Sequence, residues 1–236
     1  LGEIDIYDSL KTLLEYAHVH NYDPNIRFVT QEATESIFDD SYFHIIEDRQ
    51  SFDYIYSTDQ LTELNSSLFK EKRNLLQRFK TAHPSAAVSI LNIAEKETKE
   101  RAFALLNQWE ANKQNQNKDH NLKFESVALS RILSDGIGDS VFMTIVFDGD
   151  VMLGFGIDEI LPNHHSISHF VKADIRHKGI YEFLNQQIAT YLVSQDVKWW
   201  NWQQDLGIEG LRQVKLSYQP IHFLKKYIVG KKLSDQ

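Results

Sequence analysis

The stretch from Val141 to Ile160 limits the possible folds of this chain more than any other. Two apolar runs, Val141–Phe147 and Met152–Ile160, flank Asp148-Gly149-Asp150. An Asp-Gly pair supplies the positive φ that a tight reversal needs, so the runs are predicted to form an antiparallel hairpin. Ser166–Ala173 reads as a third strand, Gly179–Ser194 as a helix and Val197–Asn201 as a further strand. A short helix over about Ile208–Leu216 and a last strand over Phe223–Val229 end the series. Strands interrupted by helices in this order predict a mixed α/β fold, a curved sheet with a helix crossover.

The first half shows a looser version of the same pattern. An amphipathic helix over about Ile6–His20 carries Leu10, Leu13, Leu14 and Ala17 on one stripe. Strands are expected at Ile26–Val29, Tyr42–Glu47, Asp53–Ser57 and Ala86–Asn92. Helices are expected at Thr58–Leu64, Phe69–Thr81, Glu95–Asn112 and Phe124–Leu133. Asn112–Asn121 reads NKQNQNKDHN and offers no apolar side chain to anchor it, which makes it the clearest linker. Two domains, 1–115 and 122–236, are expected on either side of it.

With 236 residues the chain is long enough for one large domain or two smaller ones. It contains no cysteine, which excludes thiol nucleophiles, thiolate zinc sites and disulfides together. No apolar run reaches the ~20 residues of a membrane span, and the expected setting is cytoplasmic. A formal net charge of −8 argues against non-specific nucleic-acid binding, DNA included, as the main activity. Charge is unevenly spread: Glu32 to Glu63 holds nine acids against Arg49 alone, whereas Gly210 to Gln236 holds six bases against Asp235. No G-x-S-x-G elbow supports a serine triad. His164 and His165 are adjacent and point to opposite faces of a strand, so they do not converge with His169, and no metal is expected.

Polar side chains gather in Asn201–Pro220, NWQQDLGIEGLRQVKLSYQP. Asn201, Gln203, Gln204 and Asp205 follow a strand and need one another or a ligand. After Gly207 and Gly210, Arg212, Lys215 and Tyr218 recur three residues apart, a spacing that points them to one side of a helix. A second constellation lies in Ser166–Tyr181, SISHFVKADIRHKGIY, where Arg176, Lys178 and Gly179 precede a helix. Amides at a helix start beside basic side chains suit a phosphate or carboxylate; the alternative is a plain strand–helix turn. Lys172 alternates onto the strand face it shares with Phe170 and would need an acidic partner if that face is covered. In the first half, Arg73 and Asn74 lie in KEKRN, either a binding face or a solvated helix surface.

DYIYSTDQLTEL (Asp53–Leu64), KRNLLQRF (Lys72–Phe79), HFVKADIRHKGIYEFLN (His169–Asn185) and NWQQDLGIEGLRQVKLSYQP (Asn201–Pro220) occur in this order. Together they resemble the phosphatidylglycerol lysyltransferase C-terminal domain family. That resemblance implies two tandem GNAT-like acyltransferase units, the first of them short at its N-terminus. It implies transfer of an acyl or aminoacyl group from acyl-CoA or aminoacyl-tRNA to an amine or hydroxyl acceptor, without a tightly bound cofactor. The partners it implies are a small-molecule or aminoacyl donor, with tRNA a candidate. Carried over, Arg176, Gly179 and Tyr181 form the donor loop, with His169 and Lys172 on the strand before it. Asn201 sits at the exit of the next strand, and Tyr218 protonates the leaving group. Asp205 and Lys215 complete the catalytic set, and Tyr54, Arg73, Asn74, Gln203 and Arg212 face the substrate.

Two departures bear on catalysis. Gln203 stands where relatives commonly carry glutamate in N-R-E-x-D, and Trp202 replaces the arginine. Val171 stands where relatives often have the glutamate of E-K-A. Glutamine keeps hydrogen bonds but accepts no proton, so base catalysis through that position is excluded. The alternative function is a ligand-binding or regulatory module of the same fold.

Overall fold

A computed structural model describes residues 5–92, 97, 99–105, 107, 127–132 and 140–232. Along the chain the elements are α1 (Ile6–Val19), β1 (Asn25–Thr30), α2 (Gln31–Glu35), β2 (Phe43–Glu47), β3 (Asp53–Ser57), α3 (Thr58–Glu63), α4 (Lys70–Ala82) and β4 (Ala86–Asn92). After them come β5 (Val141–Asp148), β6 (Val151–Leu161), β7 (His165–Ala173), α5 (Ile180–Ser194), β8 (Trp199–Asn201), α6 (Glu209–Ser217), β9 (His222–Leu224) and β10 (Lys226–Lys231). The mixed α/β class is as expected. The linker at Asn112–Asn121, and with it the expected domain boundary, lies outside the described residues.

The chain divides into two compact units that do not follow its order: residues 1–55 with 203–236, and residues 56–202. The first is assembled from both ends of the sequence. Strand β10 lies between β1 and β2, antiparallel to each. Helix α1 starts at Asp5, whose side chain accepts the Tyr7 N–H at 2.7 Å, and it buries Leu10 and Leu14 against Val29, Ile37, Phe43 and Val229. The short α2 was not anticipated; five residues carry too little periodicity to betray it, although the Thr30 hydroxyl caps it.

The single strand expected over Phe223–Val229 is two strands. His222–Leu224 pairs with Asp53–Ile55 of β3, whereas Lys226–Lys231 joins β1 and β2, and the break falls at Lys225. The same apolar run thus serves two different ladders, and the need to change partner interrupts it.

In the second unit the strand order is β4-β5-β6-β7-β8. The predicted hairpin is present: Asp148 and Val151 are register partners across Gly149, whose φ of 58° is the left-handed value the turn demands. Strand β7 runs parallel to β8 through the α5 crossover, and α5 packs on α3, α4, β5 and β6. One core cluster joins Ala102, Leu105 and Leu129 to Val141, Met143, Ile145, Phe155 and Ile157.

Candidate functional site

In the first unit, the turn after β8 delivers Asp205 into a fully enclosed position. Gln203, Leu206 and Gly207 all have positive φ, at 57°, 56° and 70°. A left-handed non-glycine residue costs ~1–2 kcal/mol, so two of them beside one acid need strong compensation. The Asp205 carboxylate provides it. It accepts the Tyr54 hydroxyl at 2.5 Å, Arg212 Nε and Nη2 at 2.8 and 3.1 Å, Arg49 Nη1 at 3.3 Å and the Gly207 N–H at 2.8 Å. Burial alone would raise its pKa; the bonds from Arg212, Tyr54 and Gly207 outweigh it and hold the group at about 2. Burial and the bond to Asp205 push the Tyr54 phenol upward, keeping it a neutral donor.

Helix α6 brings Lys215 to the same place, one turn beyond Arg212. Its ammonium is buried, donates to the Gln203 carbonyl at 3.1 Å and lies 5.5 Å from the centre of the Tyr54 ring. Burial lowers its pKa to about 8, and Asp53 and Asp205 offset only part of that. A buried cation near its ionisation point can hydrogen-bond a carbonyl oxygen or exchange a proton at neutral pH. Tyr218 is buried too, but as the residue that caps α6 rather than on the helix face. Tyr54, Gln203, Asp205, Arg212 and Lys215 therefore come together, Gln203 through its backbone carbonyl.

Sequence reasoning missed Arg49. Its guanidinium bonds both Asp205 and the Tyr54 hydroxyl (3.1 Å for the latter) and sits 5.0–5.5 Å from the ring centres of Phe52, Tyr54 and Phe223. The available signal was that it is the lone base in an acidic stretch.

The second unit carries the other expected residues. His169, on β7, contacts Glu159 at 3.0 Å, and Lys172 is buried further along that strand. Asn201 closes β8, half-buried, with Ile167 as its register partner. Arg176 folds back on Asp174, its Nε 2.9 Å from both carboxylate oxygens, while its own side chain is 65% exposed. The Arg176 bonds hold the Asp174 carboxyl below the usual range. Gly179, with φ 89°, begins α5, and Tyr181 follows half-buried. A Cβ on Gly179 would lie 2.0 Å from the Leu75 carbonyl oxygen, so glycine here permits close packing on α4. Arg73 donates to the carbonyls of Leu64 and Ser66, tying down the loop after α3, and Asn74 is exposed on α4. Among the described residues no three His, Asp or Glu side chains gather as a metal site, and no described helix is long and apolar enough to cross a membrane.

An uncharacterised protein of Mycoplasmoides gallisepticum is 24% identical over 97% of this chain and 68% of its own length. A conserved Bacteroides thetaiotaomicron protein of unknown function superposes with a TM-score of 0.81 at 26% identity, covering 98% of this chain and 77% of that one. The L-PGS structure from Bacillus licheniformis shares the fold, with a TM-score of 0.67 at 13% identity over 96% of this chain and 73% of its own. The family model described as phosphatidylglycerol lysyltransferase, C-terminal, matches residues 1–230, and the chain belongs to that family.

Proposed function

We propose that the chain is a transferase. It moves an acyl or aminoacyl group from a phosphate-bearing donor, acyl-CoA or aminoacyl-tRNA, directly to an amine or hydroxyl acceptor, within two tandem GNAT-like units. The observation that carries this reading is the buried Lys215 ammonium, tuned to about 8 and set beside the Asp205–Tyr54–Arg212 cluster in a member of this family.

The acceptor's lone pair attacks the donor carbonyl carbon, and the bond from that carbon to the carrier's oxygen or sulfur breaks. Lys215 hydrogen-bonds the carbonyl oxygen as negative charge develops, the role in which a preorganised donor lowers a barrier most. Tyr218 supplies the proton that the departing carrier takes up, and the proton that the acceptor sheds on acylation restores the phenol. Asp205 is held near a pKa of 2, so it does not serve as the base; it fixes Tyr54 and Arg212. Arg176, Gly179 and Tyr181, with Lys172 and His169 before them, are the second unit's own candidates for holding a phosphate, which would share the Arg176 charge with Asp174. Without cysteine, and with no activated serine evident in the sequence, transfer needs no covalent enzyme intermediate.

Calorimetry with CoA, acyl-CoA and charged tRNA, run beside product detection, tests this. Product from one donor supports the transferase. Binding without product favours a ligand-binding module, the second reading, to which Gln203 in place of glutamate and the immobilised Asp205 lend weight.

A further inference from the structure

Four side chains from three places in the second unit line up outside the proposed chemistry, joined by two hydrogen bonds and one contact at ion-pair distance. Asp148 ends β5, His83 closes α4, and Asp174 and His177 lie in the connection from β7 to α5. His83 Nδ1 is 2.6 Å from Asp148 Oδ2, His83 Nε2 is 3.0 Å from His177 Nδ1, and His177 Nε2 is 3.7 Å from Asp174 Oδ2. The Phe79 ring stacks on His83, with centres 4.8 Å apart, which fixes the plane of that imidazole.

Counting protons along the chain decides its behaviour. His83 Nδ1–H donates to Asp148, which leaves His83 Nε2 as the acceptor for His177 Nδ1–H. His177 Nε2 then faces Asp174, so one added proton there creates an ion pair and breaks nothing. A second proton has only His83 Nε2 left to occupy. That step turns the acceptor into a donor facing a donor and sets two cations side by side.

The two flanking carboxylates stay in their charged form. The bond from His83 holds the Asp148 carboxyl below the usual range, helped by the Ser85 hydroxyl, and Arg176 does the same for Asp174. Elsewhere on the packed elements, Lys80 of α4 is turned to Gln186 and Glu182 of α5 to Lys72, while Lys178 is exposed.

We propose that this chain is a proton-operated latch on the β7–α5 connection, closed while the histidine pair carries at most one added proton and open when both imidazoles are charged. Opening is the step that adds the second proton. It frees residues 174–178 to pivot on Gly179, which stays packed against Leu75. The latch stands on its own geometry, whether or not the connection also meets a donor's phosphates.

Amide hydrogen exchange of the intact chain at pH 7.5 and 5.5, corrected for the intrinsic rate, tests it. Segment 174–180 is expected to lose protection at least tenfold at the lower pH in the wild type, and to show no such loss in His83→Gln or His177→Gln. Equal protection at both pH values, or the same loss in both variants, overturns the latch. Imidazole nitrogen NMR of the wild type decides even where a variant does not fold. Coupling between His177 Nδ1 and His83 Nε2 at pH 7.5 that vanishes at 5.5 supports the proposal; its absence at 7.5 or persistence at 5.5 overturns it.

Discussion

Asp205 and Asp174 are both buried carboxylates clamped by arginine, yet they draw their partners from different distances along the chain. Asp174 is bound by Arg176, two residues away, whose far side stays in water. Asp205 is bound by Arg212 seven residues on, but also by Tyr54 and Arg49, 151 and 156 positions away. The local pair shapes its own loop. The long-range one closes a cluster around a buried lysine whose pKa is lowered to about 8. Strong arginine–carboxylate bonding alone therefore marks neither as catalytic; what differs is the buried, unusually ionising neighbour.

Removing the acid should separate the two regions most sharply. Asp205→Ala leaves Arg212 and Arg49 without their shared partner and is expected to cost ~3–5 kcal/mol by urea denaturation. A loss under ~1 kcal/mol would mean that the arginines simply turn to solvent and that the cluster holds little together.

Lys215→Met probes the buried cation. In the wild type, stability should rise with pH between about 8 and 10.5, because over that window the unfolded chain keeps the proton that the folded one has released. The methionine variant should lack this slope, be up to ~3 kcal/mol more stable at pH 7, and lose turnover ~10²-fold. An identical slope in the variant would assign it to another group.

Gly179→Ala sets a left-handed backbone and the Leu75 carbonyl against a new methyl group, and should cost at least ~2 kcal/mol in a thermal or urea melt. Arg176→Ala, on the same loop, should change stability by less than ~1 kcal/mol while weakening binding of a phosphate-bearing donor by ~1.5–3 kcal/mol in calorimetry. Unchanged affinity would confine Arg176 to shaping its loop. Smallest in stability is Tyr218→Phe, expected to melt like the wild type and to turn over more slowly; full activity would exclude Tyr218 as the acid.

Short-range features were legible in the sequence. The Asp148–Val151 reversal, the Arg212–Lys215 helical spacing and the polar exit around Asp205 all depend on residues within one turn of each other. Arg49 was not, because its meaning lies in an acid 156 residues away. His83 was equally silent: its partner is 94 residues on, and nothing beside it hints at a second imidazole. Arg73 read as a binding candidate, but only the fold reveals that its guanidinium holds the Leu64 and Ser66 carbonyls.

Periodicity and turn chemistry, which act between near neighbours, were enough to determine the mixed α/β class, the hairpin and the α5 crossover, while four motifs in order carried the resemblance to the family. Tertiary structure alone decided that both chain ends build one unit, that the last apolar run splits at Lys225, and that Lys215 is stripped of water beside Asp205. Desolvation and strand pairing depend on what is packed alongside, and no local stretch of sequence contains its own surroundings.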